Sequence, residues 1–312
     1  MARGALEVAD RALSVPAARS APPAPPRHPL VYTAMSAVCF ALMAVAAKVA
    51  ARTLSGGEIA FVRFALMLVP LVVVPGLGRR ALSYDRLDLL VYRGVFGGVA
   101  VLLYFLAIAH VPVGTATLLN YSSPIFSVLF ASLFLGEGVR RWLLLPAAVA
   151  FLGVAMVTGG LEDGGLLAHF SRWEAAGLAS AVLSGAAVAA IRAARRTETS
   201  WAIYGSFTLF GLLTTAPLGI LHWRTPTGRE WLLLAAVGAT SIAAQLLMTY
   251  AYRWVTNVQA GAMAQLTVLI AFALGAVLLG EPFGWNQAVG SLLTLAGIVG
   301  VVRMQSTPRA IE

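Results

Sequence analysis

Long apolar segments separated by short polar gaps run through the chain from residue 30 onward. A helix needs about 20 apolar residues to cross the ~30 Å hydrocarbon core of a bilayer. The segments that satisfy this length are 30–50, 56–76, 88–109, 114–135, 142–160, 174–194, 201–221, 231–252, 258–279 and 285–303. Because backbone polar groups find no water inside lipid, each segment is predicted to be a helix. The pattern therefore predicts an all-α integral membrane protein with ten transmembrane helices.

The composition agrees with a chain embedded in a membrane. Of the 312 residues, 59% are apolar and 11% are charged, whereas soluble domains are near one half and one quarter. This balance excludes a water-soluble globule. A single cysteine, Cys39, excludes a disulfide framework, and the four histidines are too scattered to form a metal site. We expect no cofactor and no bound metal.

The distribution of basic residues predicts the orientation. The net charge is +9, and the arginines lie in the gaps between apolar segments, so the expected partner is the lipid bilayer and not nucleic acid. Fifteen Lys and Arg residues fall on one side of the ten-helix arrangement and five on the other. The positive-inside rule then places both termini in the cytoplasm. Abundant arginine beside one lysine is typical of a GC-rich bacterial genome, so we expect a bacterial inner (plasma) membrane.

An internal repeat relates the two parts of the chain. A shift of 144 residues aligns 94–137 with 238–281 without a gap, and ten of the 44 positions are identical, ending in Leu-Gly-Glu in both. Each repeat then holds five helices. Because five is an odd number, the second repeat must enter the membrane from the opposite face. The sequence thus predicts two inverted five-helix repeats, an architecture typical of alternating-access transporters.

The predicted organisation has four parts. The tails are polar, and the first is also rich in proline, so it is expected to be disordered. The parts are a cytoplasmic N-terminal tail at 1–29, a first repeat at 30–160, a second repeat at 174–303 and a cytoplasmic C-terminal tail at 304–312. The two repeats are called the first half and the second half below.

Short motifs in the first half are similar to those of a known family. A run that begins at Tyr104 reads Tyr-Phe-Leu-Ala-Ile-Ala-His-Val-Pro-Val-Gly-Thr-Ala, and Ser123-Pro124-Ile-Phe and a Leu-Gly-Glu ending in Glu137 follow it. These motifs resemble the third and fourth helices of an EamA-type transporter of the drug/metabolite transporter superfamily. Lys48 and the arginine in Phe-Val-Arg63-Phe also resemble that family's pattern.

The resemblance covers about 30–303 and implies a ten-helix carrier of small organic metabolites. Members move amino-acid-like or nucleotide-like compounds, vitamins or drugs, so the family does not specify the solute. One position departs from the family pattern, because Val268 stands in the second half where Pro124 stands in the first. A helix break shared by both halves is therefore not predicted.

Polar side chains deep within the spans are candidates for the solute site, because burying them in lipid is unfavourable. The fourth span carries Asn120, Tyr121 and Ser123, and the repeat places Gln265 and Thr267 at the positions of Tyr121 and Ser123. The candidate substrate-binding residues are Asn120, Tyr121, Ser123, Tyr104, Gln245, Gln265, Thr267 and Arg63. The alternative reading is that these groups only form hydrogen bonds between packed helices.

Two arginines lie within spans. Arg63 is about seven residues into the second helix, within snorkelling reach of the outer headgroups. Its guanidinium group could hold a carboxylate or phosphate with two hydrogen bonds, or it could satisfy carbonyl groups at a helix end. Arg93 lies at the inner mouth of the third helix, where an orientation signal is sufficient to explain it.

Four residues are candidates for gating or structural roles. Lys48, near the outer end of the first helix, is predicted to anchor that helix at the interface. Pro124 removes a backbone donor and frees a carbonyl about one turn earlier. Glu137 and Glu281 end the fourth and ninth helices at opposite faces, where they are expected to bond loop backbone or a basic neighbour.

The missing motifs restrict the mechanism. No Asp, Glu or His lies near the middle of a span, so a dedicated proton relay is not supported, and no phosphate-binding loop for ATP is present. We expect a secondary transporter for a small-molecule solute, and not an enzyme. A channel-type facilitator and an intramembrane lipid-modifying enzyme are the alternatives. The sequence leaves open whether the chain forms a homodimer.

Overall fold

A computed structural model describes residues 29–135, 144–158, 170–194, 197–251, 254 and 263–306, and all regular structure in them is helical. The helices, numbered in chain order, are α1 (Pro29–Ala50), α2 (Gly56–Met67), α3 (Val69–Val73), α4 (Leu77–Ala81), α5 (Leu87–His110), α6 (Val113–Asn120), α7 (Ser123–Leu135), α8 (Leu144–Val157), α9 (Arg172–Ala194), α10 (Ser200–Leu221), α11 (Gly228–Ala251), α12 (Leu266–Leu279) and α13 (Trp285–Ser306).

Seven of the described helical segments are long and apolar enough to cross a membrane. Six of them lie in α1, α5, α9, α10, α11 and α13, and the seventh combines α2 and α3 into Gly56–Val73. The apolar helices α8 and α12 are shorter. The chain is therefore an all-helical, multi-pass membrane protein.

Two predicted spans are each divided into two helices by a proline. In 56–76, α2 ends at Met67 and Pro70 lies in the first turn of α3. In 114–135, α6 ends at Asn120 and α7 begins at Ser123, one residue before Pro124. Proline has no N–H group to continue the helical ladder. The interruption expected near Asn120 is therefore present.

The second half is interrupted at the equivalent position although it has no proline there. A turn at Gln265, which lies 144 residues after Tyr121, precedes α12. The N–H of Val268 bonds to the Gln265 carbonyl at 3.0 Å, a three-residue step instead of the helical four. Because Val268 stands where the first half has Pro124, the sequence did not predict this break. Proline is therefore not required for it.

The most extensive helix contacts join the two halves. Most of these contacts have a counterpart in which the two halves exchange roles. Helix α1 packs against α11, and the equivalent helices α9 and α5 pack against each other. In the same way α2 contacts α11, and α10 contacts α5. Helices α2 and α8 each contact their own equivalents, α10 and α13. Such pairing is expected of two repeats arranged around a shared axis.

Glycines allow α8 and α13 to approach closely. A Cβ atom added at Gly153 would collide with the carbonyl oxygen of Gly290, and one added at Gly290 would collide with that of Gly153. Small residues of this kind let helix backbones approach each other in lipid, where the hydrophobic effect does not drive helices together.

Candidate functional site

Arg63 of α2 is buried at the centre of the helix bundle. Its side chain is 2% exposed, and its Nε donates a hydrogen bond of 2.8 Å to the hydroxyl of Ser241 on α11. The guanidinium carbon lies 4.9 Å from the ring centroid of Phe64 and 5.8 Å from that of Phe207. Arg63 thus turns inward to Ser241 and these rings, and its binding of a carboxylate or phosphate stays a prediction.

Arg93 of α5 is also buried, although the sequence assigned it an orientation role. Its residue exposure is 8%, and its guanidinium carbon lies 4.0 Å from the centroid of Phe207 on α10. Its Nη1 occupies the space beside Gly97 that a Cβ atom would need. The orientation reading is insufficient, since Arg93 and Arg63 approach the same aromatic ring inside the protein.

Tyrosines surround the arginine pair. The hydroxyl of Tyr104 is hydrogen-bonded to Thr117 Oγ1 at 2.9 Å, and the hydroxyl of Tyr204 donates to the carbonyl of Met67 at 2.9 Å. Both phenols and that of Tyr121 lie close enough to Arg63 to interact with it electrostatically. The helix contacts therefore place aromatic and hydroxyl groups around a buried positive charge.

The two helix interruptions meet. The Gln265 side chain donates from Nε2 to the carbonyl of Tyr121 at 3.5 Å. The N–H of Ile125 bonds to the carbonyl of Ser122 at 3.1 Å, one residue beyond the Tyr121 carbonyl that a regular helix would use. Gln265 thus binds an acceptor that the break in the first half exposes.

Other candidates lie near this junction. Gln265 Oε1 and Thr267 Oγ1 are buried and have no hydrogen-bond partner among the described residues. Ser123 and Pro124 begin α7 and are half-buried. A cavity-lining role for these residues stays a prediction.

Asn120 connects helices from the two halves. Its Nδ2 donates to Ser180 Oγ at 2.9 Å and to Ser184 Oγ at 3.4 Å, and both serines belong to α9. This is the kind of interhelical hydrogen bond that the alternative reading of the polar residues expects. A role of Asn120 in solute binding stays a prediction.

A small cavity adjoins Arg93. It has a volume of about 60 Å³ and is lined by Arg93, Tyr204, Phe207 and Gln245, together with residues at the ends of α9 and α11 and at the start of α10. Such a volume holds about two water molecules. In this conformation the helices must separate before a metabolite can enter.

Lys48 and Glu281 form a junction at the opposite end of the bundle. Gly57, in the first turn of α2 shortly after Lys48, packs against Leu218 near the end of α10. Ser200, which lines the cavity beside Arg93, is at the start of α10 and therefore lies at the other end of the bundle. Lys48 Nζ donates to the carbonyls of Ile108 and Val111 at 2.9 and 2.8 Å. The ammonium group thus binds the C-terminal end of α5, and the predicted anchoring of α1 by Lys48 stays a prediction.

Glu281 completes this junction from the second half. Its carboxylate oxygens accept hydrogen bonds from the N–H of Val113 at 2.8 and 3.0 Å, and one lies 3.9 Å from Lys48 Nζ. Lysine at the end of α5 and glutamate at the start of α6 both match the helix dipoles. Burial raises the pKa of Glu281 above 4.5, while the Val113 N–H and Lys48 act in the opposite direction. Glu137, the repeat counterpart, lies outside the described residues.

The structure brings together residues that the sequence separated and adds some that it missed. Tyr104 and Tyr121 lie near Arg63, Gln265 bonds to Tyr121, and Gln245 lines the cavity beside Arg93. The missed residues are Arg93, Tyr204, Phe207 and Ser241. Only Arg93 had a usable signal, which was its place six residues inside α5. Within the described ranges no three His, Cys, Asp or Glu residues are grouped to hold a metal ion.

Comparisons with known proteins follow the two halves of the chain. The model of the EamA-like transporter family matches residues 29–159 and 171–303. The pseudopaline exporter CntI of Pseudomonas aeruginosa is 32% identical over 274 residues, covering 86% of this chain and 91% of that protein. A riboflavin transporter of Brucella anthropi is 26% identical over 207 residues, covering 62% of this chain and 69% of that protein.

A solved structure supports the architecture. A protein crystal structure with 21% sequence identity superposes with a TM-score of 0.61, covering 89% of this chain and 99% of that one. At this level of identity the match shows a shared fold.

Proposed function

The chain belongs to the EamA-like transporter family, and from this premise we propose that it is a secondary transporter that moves a small organic metabolite across a bacterial inner membrane by alternating access. Its relatives are transporters and not enzymes, so the intramembrane enzyme considered from the sequence is set aside. One chain supplies both halves of the proposed site, so the mechanism requires a single copy.

The proposed topology has ten spans arranged as two inverted repeats. Seven segments qualify by length, and the divided pair α6 and α7 and the shorter α8 and α12 supply the other three. Both termini would be cytoplasmic, as the charge distribution predicts. Reporters fused to each terminus test this point, and a reporter signal from opposite sides would contradict the proposal.

The observation that supports alternating access is the difference between the two ends of the bundle. At one end Lys48 and Glu281 join α1, the turn between α5 and α6, and the segment after α12. At the other end the cavity beside Arg93 reaches Ser200 and Thr249. We propose that Lys48 and Glu281 close the periplasmic end, and that their separation accompanies opening toward that side.

The proposed solute site lies between these ends. It includes Arg63, Tyr104, Tyr121, Gln245 and Gln265, with Asn120, Ser123 and Thr267 at its margin. Pro124 would contribute by interrupting the fourth span and exposing the Tyr121 carbonyl. Glu137 is assigned a counterpart role to Glu281 on the basis of the repeat alone.

Counterflow in proteoliposomes tests the function. Vesicles containing the purified chain are loaded with a metabolite mixture, and the accumulation of labelled solutes is measured against vesicles without protein. We expect saturable uptake that is accelerated by the same solute inside. Unsaturable flux with single-channel currents in planar bilayers would instead favour the channel-type facilitator.

A further inference from the structure

Two positive charges from the first half share one buried site. Arg63 and Arg93 lie with their guanidinium carbons 5.8 and 4.0 Å from the centroid of the same Phe207 ring. Their charges are close enough to repel each other. An arginine within a membrane is unfavourable, so its presence there usually marks a functional site. We propose that this pair binds the transported solute, and that the solute is a small organic anion with two negative charges, either a dicarboxylate or a phosphate ester.

No acidic residue of the described part of the chain forms an ion pair with Arg63 or Arg93. Glu58, the acid nearest to Arg63 in sequence, lies beside Ser55 and Arg224 at the start of α2, and its Oε1 is buried without a hydrogen-bond partner among the described residues. The other described carboxylates either are exposed or contact Arg86, Ser171, Arg224, Lys48 or backbone N–H groups. They are Asp85, Asp88, Glu174, Glu198, Glu230 and Glu281. The protein therefore supplies no described counter-charge for Arg63 or Arg93.

Donor groups of both arginines are also unused. Nη1 of Arg63 and Nε of Arg93 are buried without a hydrogen-bond partner in the described structure. A buried donor without an acceptor destabilises the protein, and more so if it is charged. A carboxylate or phosphate satisfies such donors and neutralises the charge together, because its oxygens match the planar guanidinium fork. A neutral solute can accept hydrogen bonds from the donors but cannot neutralise the charge.

The neighbouring groups suit an anion with a polar body. The Ser241 hydroxyl already bonds to Arg63, and the Gln245 side chain lines the same cavity as Arg93. Because arginine stays protonated in proteins, the site is cationic at every physiological pH and rejects cationic solutes. The cavity of about 60 Å³ is too small for the anion, so binding requires the helices around it to separate.

This inference rests on the proposed transport function, and its first test measures binding alone. Thermal unfolding of the purified full-length chain is followed with dicarboxylates from malonate to adipate, with glycerol 3-phosphate, with the matching diamides and with putrescine. We expect stabilisation by at least one anion and by neither the diamides nor putrescine. Stabilisation by a dicarboxylate would identify carboxylates as the charged groups of the solute, and stabilisation by glycerol 3-phosphate would identify a phosphate ester. No response to any anion, or an equal response to a diamide, overturns the proposal.

Variants then locate the charge. In Arg63→Gln and Arg93→Gln we expect about a 10- to 100-fold weaker Kd for the stabilising anion. Arg229→Gln, an exposed arginine at the start of α11, is the matched control and should bind as the wild type does. Arg63→Lys and Arg93→Lys keep the charge and serve if the glutamine variants do not fold, with partial loss expected. Unchanged binding in both glutamine variants overturns the assignment.

Counterflow separates this inference from the function on which it rests. Anion binding without flux of any solute contradicts transport but retains the anion site. Saturable flux of a neutral solute that the anions do not inhibit contradicts the anion site and retains transport.

Discussion

Gln265 and Tyr121 stand at equivalent positions of the two halves, 144 residues apart, and the side chain of one bonds to the carbonyl of the other at 3.5 Å. The same offset separates Thr294 and Ala150, where the threonine hydroxyl lies 3.4 Å from the alanine carbonyl. Equivalent residues of two repeats can touch only near the axis that relates the repeats. Both contacts therefore mark this axis, and one of them lies among the candidate site residues.

The first prediction concerns polar groups near the axis. Gln265→Ala and Asn120→Ala each remove an interhelical hydrogen bond and a candidate solute contact, so we expect kcat/KM for counterflow to fall about 2- to 10-fold with folding retained. Gln287→Ala is the control, because that glutamine bonds to a loop N–H before α13. Wild-type transport in both site variants would remove these residues from the binding site.

The second prediction concerns the closed end. Glu281→Ala leaves the Val113 N–H without its acceptor and Lys48 without its counter-charge, and we expect a loss of about 1–3 kcal/mol in the stability of the closed end. A cysteine introduced at Thr115, in a Cys39→Ala background, should react faster with a polar thiol reagent when Glu281→Ala is also present than when Glu281 is retained. Glu174→Gln, which alters a carboxylate at the start of α9, should leave the reaction rate unchanged. An equal rate in Glu281→Ala would contradict the gating role.

The third prediction follows from the raised pKa of Glu281, which burial keeps above 4.5. The folded, closed state binds this proton more tightly than an unfolded or open state does, so its stability falls as pH rises from 4.5 through the raised pKa. We expect the melting temperature of the wild type to decline across this window relative to Glu281→Gln, a neutral isostere. Parallel pH profiles would show that Glu281 is not the titrating group.

The fourth prediction concerns the contact between α8 and α13. Gly153→Ala places a methyl group against the Gly290 carbonyl, and we expect a loss of about 1–3 kcal/mol in unfolding free energy. Gly228→Ala is the control, because nothing lies within 4 Å of the added methyl group. Equal melting temperatures for the two variants would mean that the helices separate without cost.

The sequence alone determined the all-helical membrane architecture, the repeat and the family. These properties depend on segment length, hydropathy and the 144-residue offset, which can be read along the chain without knowing which helices meet. The family match over both halves confirms the resemblance carried by Lys48, Arg63, Pro124 and the Leu-Gly-Glu motifs.

Only the tertiary structure decided which face of each helix points inward. It directed Arg63 to Ser241, placed Arg63 and Arg93 against the Phe207 ring, and brought Lys48 to the end of α5. It also interrupted the second half at Gln265 without a proline. Lipid and neighbouring helices are equally apolar, so hydropathy cannot specify how a helix is rotated about its axis. That rotation is set by close packing and buried hydrogen bonds between residues far apart in the chain.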